Sequence, residues 1–133
     1  MTPEERKAFL RGHRLAVVGV ERKDAPPNLS PVYYVMDGDD LVISTTATRA
    51  KAKAIHRNPQ VSVCVLAEEQ PYLYLNVYGR GRIETDGAVD AMMAIGEKMT
   101  GNPLPESARP AVEERAKEEQ RVVLRVTPET FFP

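Results

Sequence analysis

Cysteine and histidine are nearly absent from this chain. Cys64 is its single cysteine and lies in the apolar run VSVCVLA. No intrachain disulfide is therefore possible, and the thiol reads as a buried structural group. That usage suits a reducing, cytoplasmic setting. His13 and His56 are the only histidines, and neither HExxH nor CxxC occurs, which argues against a structural zinc site. Long apolar runs are missing too: nothing approaches the roughly 18 consecutive residues of a membrane helix. The opening MTPEERKAFLRG lacks the apolar region of a signal peptide. A net charge of -1 supplies no global attraction to nucleic acid or to an anionic membrane. No internal repeat or low-complexity segment is visible. The 133 residues suit one domain that buries roughly two-thirds of its unfolded surface.

A more local absence organises the rest. No Asp or Glu occurs from Leu41 to Ala67, although the chain holds 19 acids. This stretch starts with the apolar Leu41-Val42-Ile43, suited to a buried strand. It continues through the hydroxyls of Ser44, Thr45, Thr46 and Thr48, then enters a helical pattern carrying Arg49, Lys51, Lys53 and Arg57. The first amides of a helix lack internal partners, and the helix dipole adds partial positive charge there. A strand that hands over through hydroxyls to a basic helix start is thus a place for an anion. With Thr46 or Thr48 as N-cap, Arg49 and Lys51 fall in the first turn. Spacing alone also suits a capped surface helix with a solvated basic face.

Thr2-Pro3-Glu4-Glu5 opens a helix: Thr2 caps, Pro3 fits the first helical position and Glu5 completes a capping box. It is expected to run to about Arg11, stop at Gly12 and anchor through Phe9 and Leu10. Strands follow over Arg14–Val20 and Leu29–Met36, separated by a turn at Glu21–Asn28, where two prolines and Asp24 oppose regular structure. Pro31 places the second strand at an edge or a bulge, because proline donates no ladder hydrogen bond. Asp37-Gly38-Asp39-Asp40 is a hairpin turn into a third strand, Leu41–Ser44. The helix Thr48–Arg57 stops at Asn58-Pro59. Gln60–Ala67 is a fourth strand, with Val61, Val63 and Val65 on one face. Tyr72–Thr85 is a fifth, with Tyr72, Tyr74, Asn76 and Tyr78 on one face and Leu73, Leu75, Val77 and Gly79 on the other. Gly79 and Gly81 mark a bend or bulge in it. Asp86–Thr100 forms a helix whose Val89, Met92, Met93 and Met99 serve packing. A loop at Gly101–Pro110 leads to a charged helix, Ala111–Gln120, and a last strand, Arg121–Thr127. The tail Pro128–Pro133 carries Phe131 and Phe132, which are expected to be packed rather than exposed. Six strands, hairpin turns and few long helices predict a mainly β, α+β fold: a closed six-stranded antiparallel barrel with flanking helices, as one domain over residues 1–133.

This order of elements resembles the flavin-binding split-barrel family of pyridoxamine-phosphate oxidase-like proteins. Within that family it is most similar to the actinobacterial deazaflavin reductases that use coenzyme F420. The resemblance spans roughly Phe9 to Phe132 and is carried by LAVVGVERKDAPPNLSPVYYVMDGDDLVIST, TRAKAKAIHRNPQVSVCV and VYGRGRIE. It implies a homodimer with two cofactors at the subunit interface. The cofactor phosphate would lie against the end of the third strand and the Arg49-Ala50-Lys51 step. Transferred residue by residue, Ser44, Thr45, Thr46, Arg49 and Lys51 are the phosphate candidates. Ser30, Pro31 and Val32 run beside the ring system, with Tyr33 or Tyr34 near it. Lys53 and Arg57 share a helical face with Arg49 and suit either the acidic tail of F420 or solvent. No C-terminal Arg-x-His matching that of pyridoxamine-phosphate oxidases is present, so the implied activity is hydride transfer between reduced F420 and a small conjugated acceptor. FMN in place of F420 is the alternative cofactor. A non-catalytic module that carries cofactor or haem is the alternative role.

Overall fold

Thr2 starts the first helix through reciprocal capping: its Oγ1 accepts the Glu5 N–H at 3.1 Å, and its own N–H donates to Glu5 Oε1 at 2.9 Å. The computed structural model describes every residue, Met1–Pro133. Its elements are α1 (Pro3–Gly12), β1 (Leu15–Arg22), β2 (Ala25–Asp37), β3 (Asp40–Thr46), α2 (Ala50–Arg57), β4 (Gln60–Leu66), β5 (Tyr74–Glu84), α3 (Ala88–Thr100), α4 (Arg109–Glu118) and β6 (Arg121–Phe132), with a 3-10 turn at Glu106–Ala108. The six strands close into one antiparallel barrel in the order β1-β2-β3-β6-β5-β4, and β4 pairs back onto β1. No helix is long and apolar enough to cross a membrane.

Alternation along the strands divides inside from outside. Val18 and Val20 of β1, Leu41 and Ile43 of β3, Val61, Val63 and Val65 of β4, and Leu75 and Val77 of β5 fill the interior. Burial of each such side chain is worth about 1.5–3 kcal/mol. Phe9 and Leu10 of α1 and Ala54 and Ile55 of α2 join this core. The opposite face of β3 presents Val42, which packs with Val123 of β6 and Ala91 of α3 in a separate, outer cluster. So α3 lies on the outside of the barrel, against β2, β3 and β6.

Several boundaries differ from the sequence expectation by two residues or more, and four of them bear on the barrel and its site. Ala25, Pro26 and Pro27 are strand rather than turn: the β1–β2 turn is confined to Lys23-Asp24, with Asp24 at φ 55. The two prolines sit where the β1–β2 register is broken between Val20 and Arg22, so no regular ladder bond is demanded of them. β6 does not end at Thr127 but continues along β5 to Phe132, with Val77 opposite Phe131 and Asn76 opposite Phe132. Pro128 stands opposite Gly79, and the register shift beside it leaves Glu129 of β6 as the extra residue of a bulge opposite Tyr78 and Gly79. Phe131 packs on the core under the Arg6 guanidinium, which lies 4.4 Å from the ring centre, whereas Phe132 stays exposed. α2 starts at Ala50, with Arg49 rather than Thr46 or Thr48 as N-cap and no side-chain cap bond. α4 begins at Arg109 and takes in Pro110, which the sequence reading places in the preceding loop, since proline fits a first helical turn.

Candidate functional site

β2 is paired differently along its two halves. From Ala25 to Tyr33 its partner is β1 alone; β3 joins only at Tyr34. Pro31 falls in the singly paired half, which is tolerable for a residue without an N–H. The barrel is therefore open at Ser30-Pro31-Val32, and the start of α2 faces that opening. The approach from β3 is fixed by two backbone bonds: Ala47 N–H donates to Gln120 O at 2.9 Å, and Arg49 N–H donates to Thr46 O at 3.2 Å. Lys51, in the first turn of α2, is buried, and its Nζ donates to Ser30 Oγ at 2.9 Å.

Between this strand edge and α3 lies a cleft of about 600 Å³. One wall is Ser30, Pro31, Val32 and Tyr33; the other is the apolar side of α3, Met92, Ile95 and Met99, with Val112 of α4. Four cations line it (Arg49, Lys51, Arg115 and Arg121), and no carboxylate or histidine does. The nearest acid is Glu119, whose Oε1 lies 2.8 Å from Arg121 Nε and 3.5 Å from Arg115 Nε. Its hydrogen bond from Arg121 holds the Glu119 carboxyl below the usual carboxylate range. Arg121 also lies 3.5 Å from Ser44 Oγ. Lys51 is pushed the other way: burial lowers its pKa, and the neighbouring Arg49 lowers it further. An anion between Arg49 and Lys51 would oppose both effects by favouring the charged ammonium. The cleft thus pairs a cationic head with an apolar slot, which fits a planar ring carrying a phosphate.

Of the residues singled out from sequence, Ser30, Pro31, Val32, Ser44, Arg49 and Lys51 are brought together along this cleft. Thr45 and Thr46 are not on its wall. Thr45 follows Leu41 and Ile43 into the barrel interior, where its Oγ1 is buried without a partner. Lys53 and Arg57 lie on the exposed side of α2, outside the cleft; Arg57 reaches Glu21 O at 3.4 Å. Tyr33 lines the cleft, while Tyr34 is wholly buried on the other side, its hydroxyl donating to Leu10 O at 2.6 Å. Sequence reasoning missed Arg115 and Arg121 and gave the α3 methionines to packing alone. Only Arg121 carried a usable signal, as the first residue of the strand that pairs with the hydroxyl-rich end of β3. His13 has a structural setting: it stacks on Phe9 with ring centres 4.0 Å apart, and its Nδ1 lies 2.8 Å from Phe9 O.

The family model described as pyridoxamine 5'-phosphate oxidase matches residues 2–133. The chain belongs to the pyridoxamine 5'-phosphate oxidase family. Its members share this split barrel and bind flavin-type cofactors. Among solved structures similar to this family member is an F420 reductase, 25% identical, with a TM-score of 0.75 over 95% of this chain and 94% of that one. A conserved hypothetical protein from Mycobacterium tuberculosis superposes with a TM-score of 0.85 at 20% identity, covering 98% of this chain and 82% of the other. A haem storage protein from Vibrio cholerae shares the fold at 16% identity, with a TM-score of 0.71 over 98% and 92% of the two chains. No curated protein matches the sequence.

Proposed function

We propose that the cleft binds coenzyme F420 and that the protein is an oxidoreductase moving a hydride between the reduced deazaflavin and a small conjugated acceptor. One observation carries this reading: a buried Lys51 and an exposed Arg49 face the open edge of β2 in a cleft whose walls hold four cations and no acid. The 25% identity to an F420 reductase supports it. Arg49, Lys51 and the uncapped amides at the start of α2 would hold the phosphate. Pro31, Val32 and Tyr33 would bound the ring on one side and Met92, Ile95 and Met99 on the other, keeping water from its face. The cofactor supplies hydride chemistry; the protein supplies placement and a dry slot. Hydroxyls of Ser30, Ser44, Tyr33 and Thr100 are the groups available to polarise an acceptor. Arg115 and Arg121 extend the positive surface along the cleft and suit the carboxylates of the F420 tail.

The functional unit is proposed to be a homodimer. Tyr74, Tyr78 and Phe132 project exposed from the outer faces of β5 and β6, an apolar surface that suits a second copy. Titration of the purified protein with F420 and with FMN tests the cofactor assignment. F420 is expected to bind at least about tenfold more tightly, a difference of about 1.4 kcal/mol. Equal affinity, or tighter FMN binding, would transfer the proposal to an FMN enzyme. Light scattering at micromolar concentration tests the assembly, and a monomeric mass would remove the dimer.

A further inference from the structure

Lys98 of α3 faces away from the cationic cleft, toward a second cavity of about 620 Å³ bounded by α1, the start of β1 and the β4–β5 loop. Phe9, Ala67 and Leu73 form the apolar part of that cavity. Its charged and titratable groups besides Lys98 are Arg11, His13, Arg14, Glu68 and Glu69. Arg14 holds Glu68 in a two-bond pair, with Nε to Oε1 at 2.9 Å and Nη2 to Oε2 at 3.2 Å. That pairing leaves Glu68 turned to Arg14, and Lys98 enters no hydrogen bond or ion pair. Its Nζ instead lies 4.1 Å from the ring centre of the buried Tyr34. Burial pushes the Lys98 ammonium down to about 8, with no carboxylate opposing the shift. At pH 7.5 a quarter or so of such an amine is neutral, against about one part in a thousand for an ordinary lysine.

We propose that Lys98 is a reactive amine that captures small aldehydes with an apolar body in this second cavity, as a reversible imine. The neutral amine attacks the carbonyl carbon and forms a C–N bond; the carbonyl oxygen leaves as water with two protons taken from the nitrogen. No oxidant or reductant is needed. Phe9, Ala67 and Leu73 would shelter the apolar body. His13 stands in the same wall; with Nδ1 turned to Phe9 O, its Nε2 is the nitrogen available to relay the departing proton. The site is separate from the cationic cleft and does not depend on which cofactor that cleft takes.

The test uses the full chain, benzaldehyde as probe, an amine-free buffer at pH 7.5 and cyanoborohydride to reduce the imine to a stable secondary amine. Peptide mapping by mass spectrometry then locates the benzyl adducts among the six lysines. Lys98 is expected to be labelled at least about tenfold faster than Lys7, Lys23, Lys53 or Lys117, in line with its larger neutral fraction. It is also expected to outpace Lys51, which is more deeply buried. Lys98→Arg, checked for native circular dichroism, is expected to lose the fast adduct and keep the slow ones. Uniform labelling across the lysines of the wild-type chain, or fastest labelling at Lys51, would overturn the proposal without recourse to any variant.

Discussion

Lys51 Nζ and Ser30 Oγ, 2.9 Å apart, tie the first turn of α2 to the half of β2 that has only one strand partner. The contact joins two segments that are remote in sequence and aims a desolvated cation at the singly paired edge of β2. Its neighbour Arg49 adds a second cation that no carboxylate claims, which makes the pair a natural receptor for a phosphate.

Arg49→Ala and Lys51→Ala are each expected to weaken cofactor binding by roughly 10- to 150-fold, the loss of one charge-assisted hydrogen bond of about 1.5–3 kcal/mol. Arg49→Lys should lose part of that affinity, since an ammonium does not reproduce the guanidinium fork. Lys53→Ala, outside the cleft, serves as control: it should leave FMN affinity unchanged and affect only F420 with a long acidic tail. Fluorescence titration at two salt concentrations is the measurement. Wild-type affinity in both alanine variants would remove the phosphate site from α2.

Thr45→Val should stabilise the protein by about 1 kcal/mol. The Thr45 Oγ1 is buried without a partner, and an unsatisfied buried hydroxyl costs about 1–3 kcal/mol. Valine has nearly the same shape and keeps the apolar contacts. Urea unfolding reads the change, and a destabilised variant would show that the hydroxyl is satisfied in solution.

Gly79→Ala should destabilise by about 2–3 kcal/mol, the cost of overpacking a rigid site. A Cβ at this position would run into the Thr127 carbonyl oxygen and lie 3.1 Å from Pro128 Cα, both backbone atoms of the facing strand. Gly12, where an added Cβ would meet nothing within 4 Å, is the matched control. Similar melting temperatures for the two alanine variants would contradict the close approach of β5 and β6.

Stability should rise with pH between about 8 and 10 in a manner that Lys98→Met abolishes. The folded Lys98 titrates near 8 and the unfolded one near 10.5, so the unfolded chain holds more protons in that window and alkalinity favours the fold. The destabilisation is fully present below pH 8 and is relieved as pH climbs. Above pH 10 the buried Tyr34 hydroxyl, whose pKa burial raises, acts in the opposite sense because only the unfolded phenol ionises. Subtracting the unfolding free energies of Lys98→Met from those of the wild type isolates the effect. A difference that stays flat from pH 7.5 to 10 would contradict it.

What was legible in the sequence was local. The capping box at Thr2 and Glu5 and the alternating, buried Val61, Val63 and Val65 depend on neighbours a few residues away, and both appear in the structure; the irregularity expected at Gly79 appears too, as a register shift against β6. Element order and barrel class followed from them. Proline misled where a long-range partner decided: Pro26 and Pro27 lie in a strand because the β1 register breaks opposite them, and Pro128 lies in one because β6 runs on along β5, with a bulge at the adjacent Glu129. The cleft was half visible. Its α2 side could be read from basic and hydroxyl spacing and its β2 wall from the family resemblance, but Arg115 and Arg121 join it only because β6 pairs with β3 and carries the end of α4 to the same edge. No periodicity within either segment reports that meeting.

The strand order also sets a schedule for assembly. β3 and β5 both wait for β6: residues 41–46 pair with 121–126, and residues 76–84 with 123–132. Until Arg121–Phe132 has been made, a growing chain can form the β1–β2 and β4–β5 hairpins but holds two unpaired strand edges. Closing contacts that span some eighty positions is slow relative to local hairpins, and open edges invite pairing between chains. The last strand therefore acts as the zip of the barrel, and crowding during synthesis bears most heavily on the interval before it arrives.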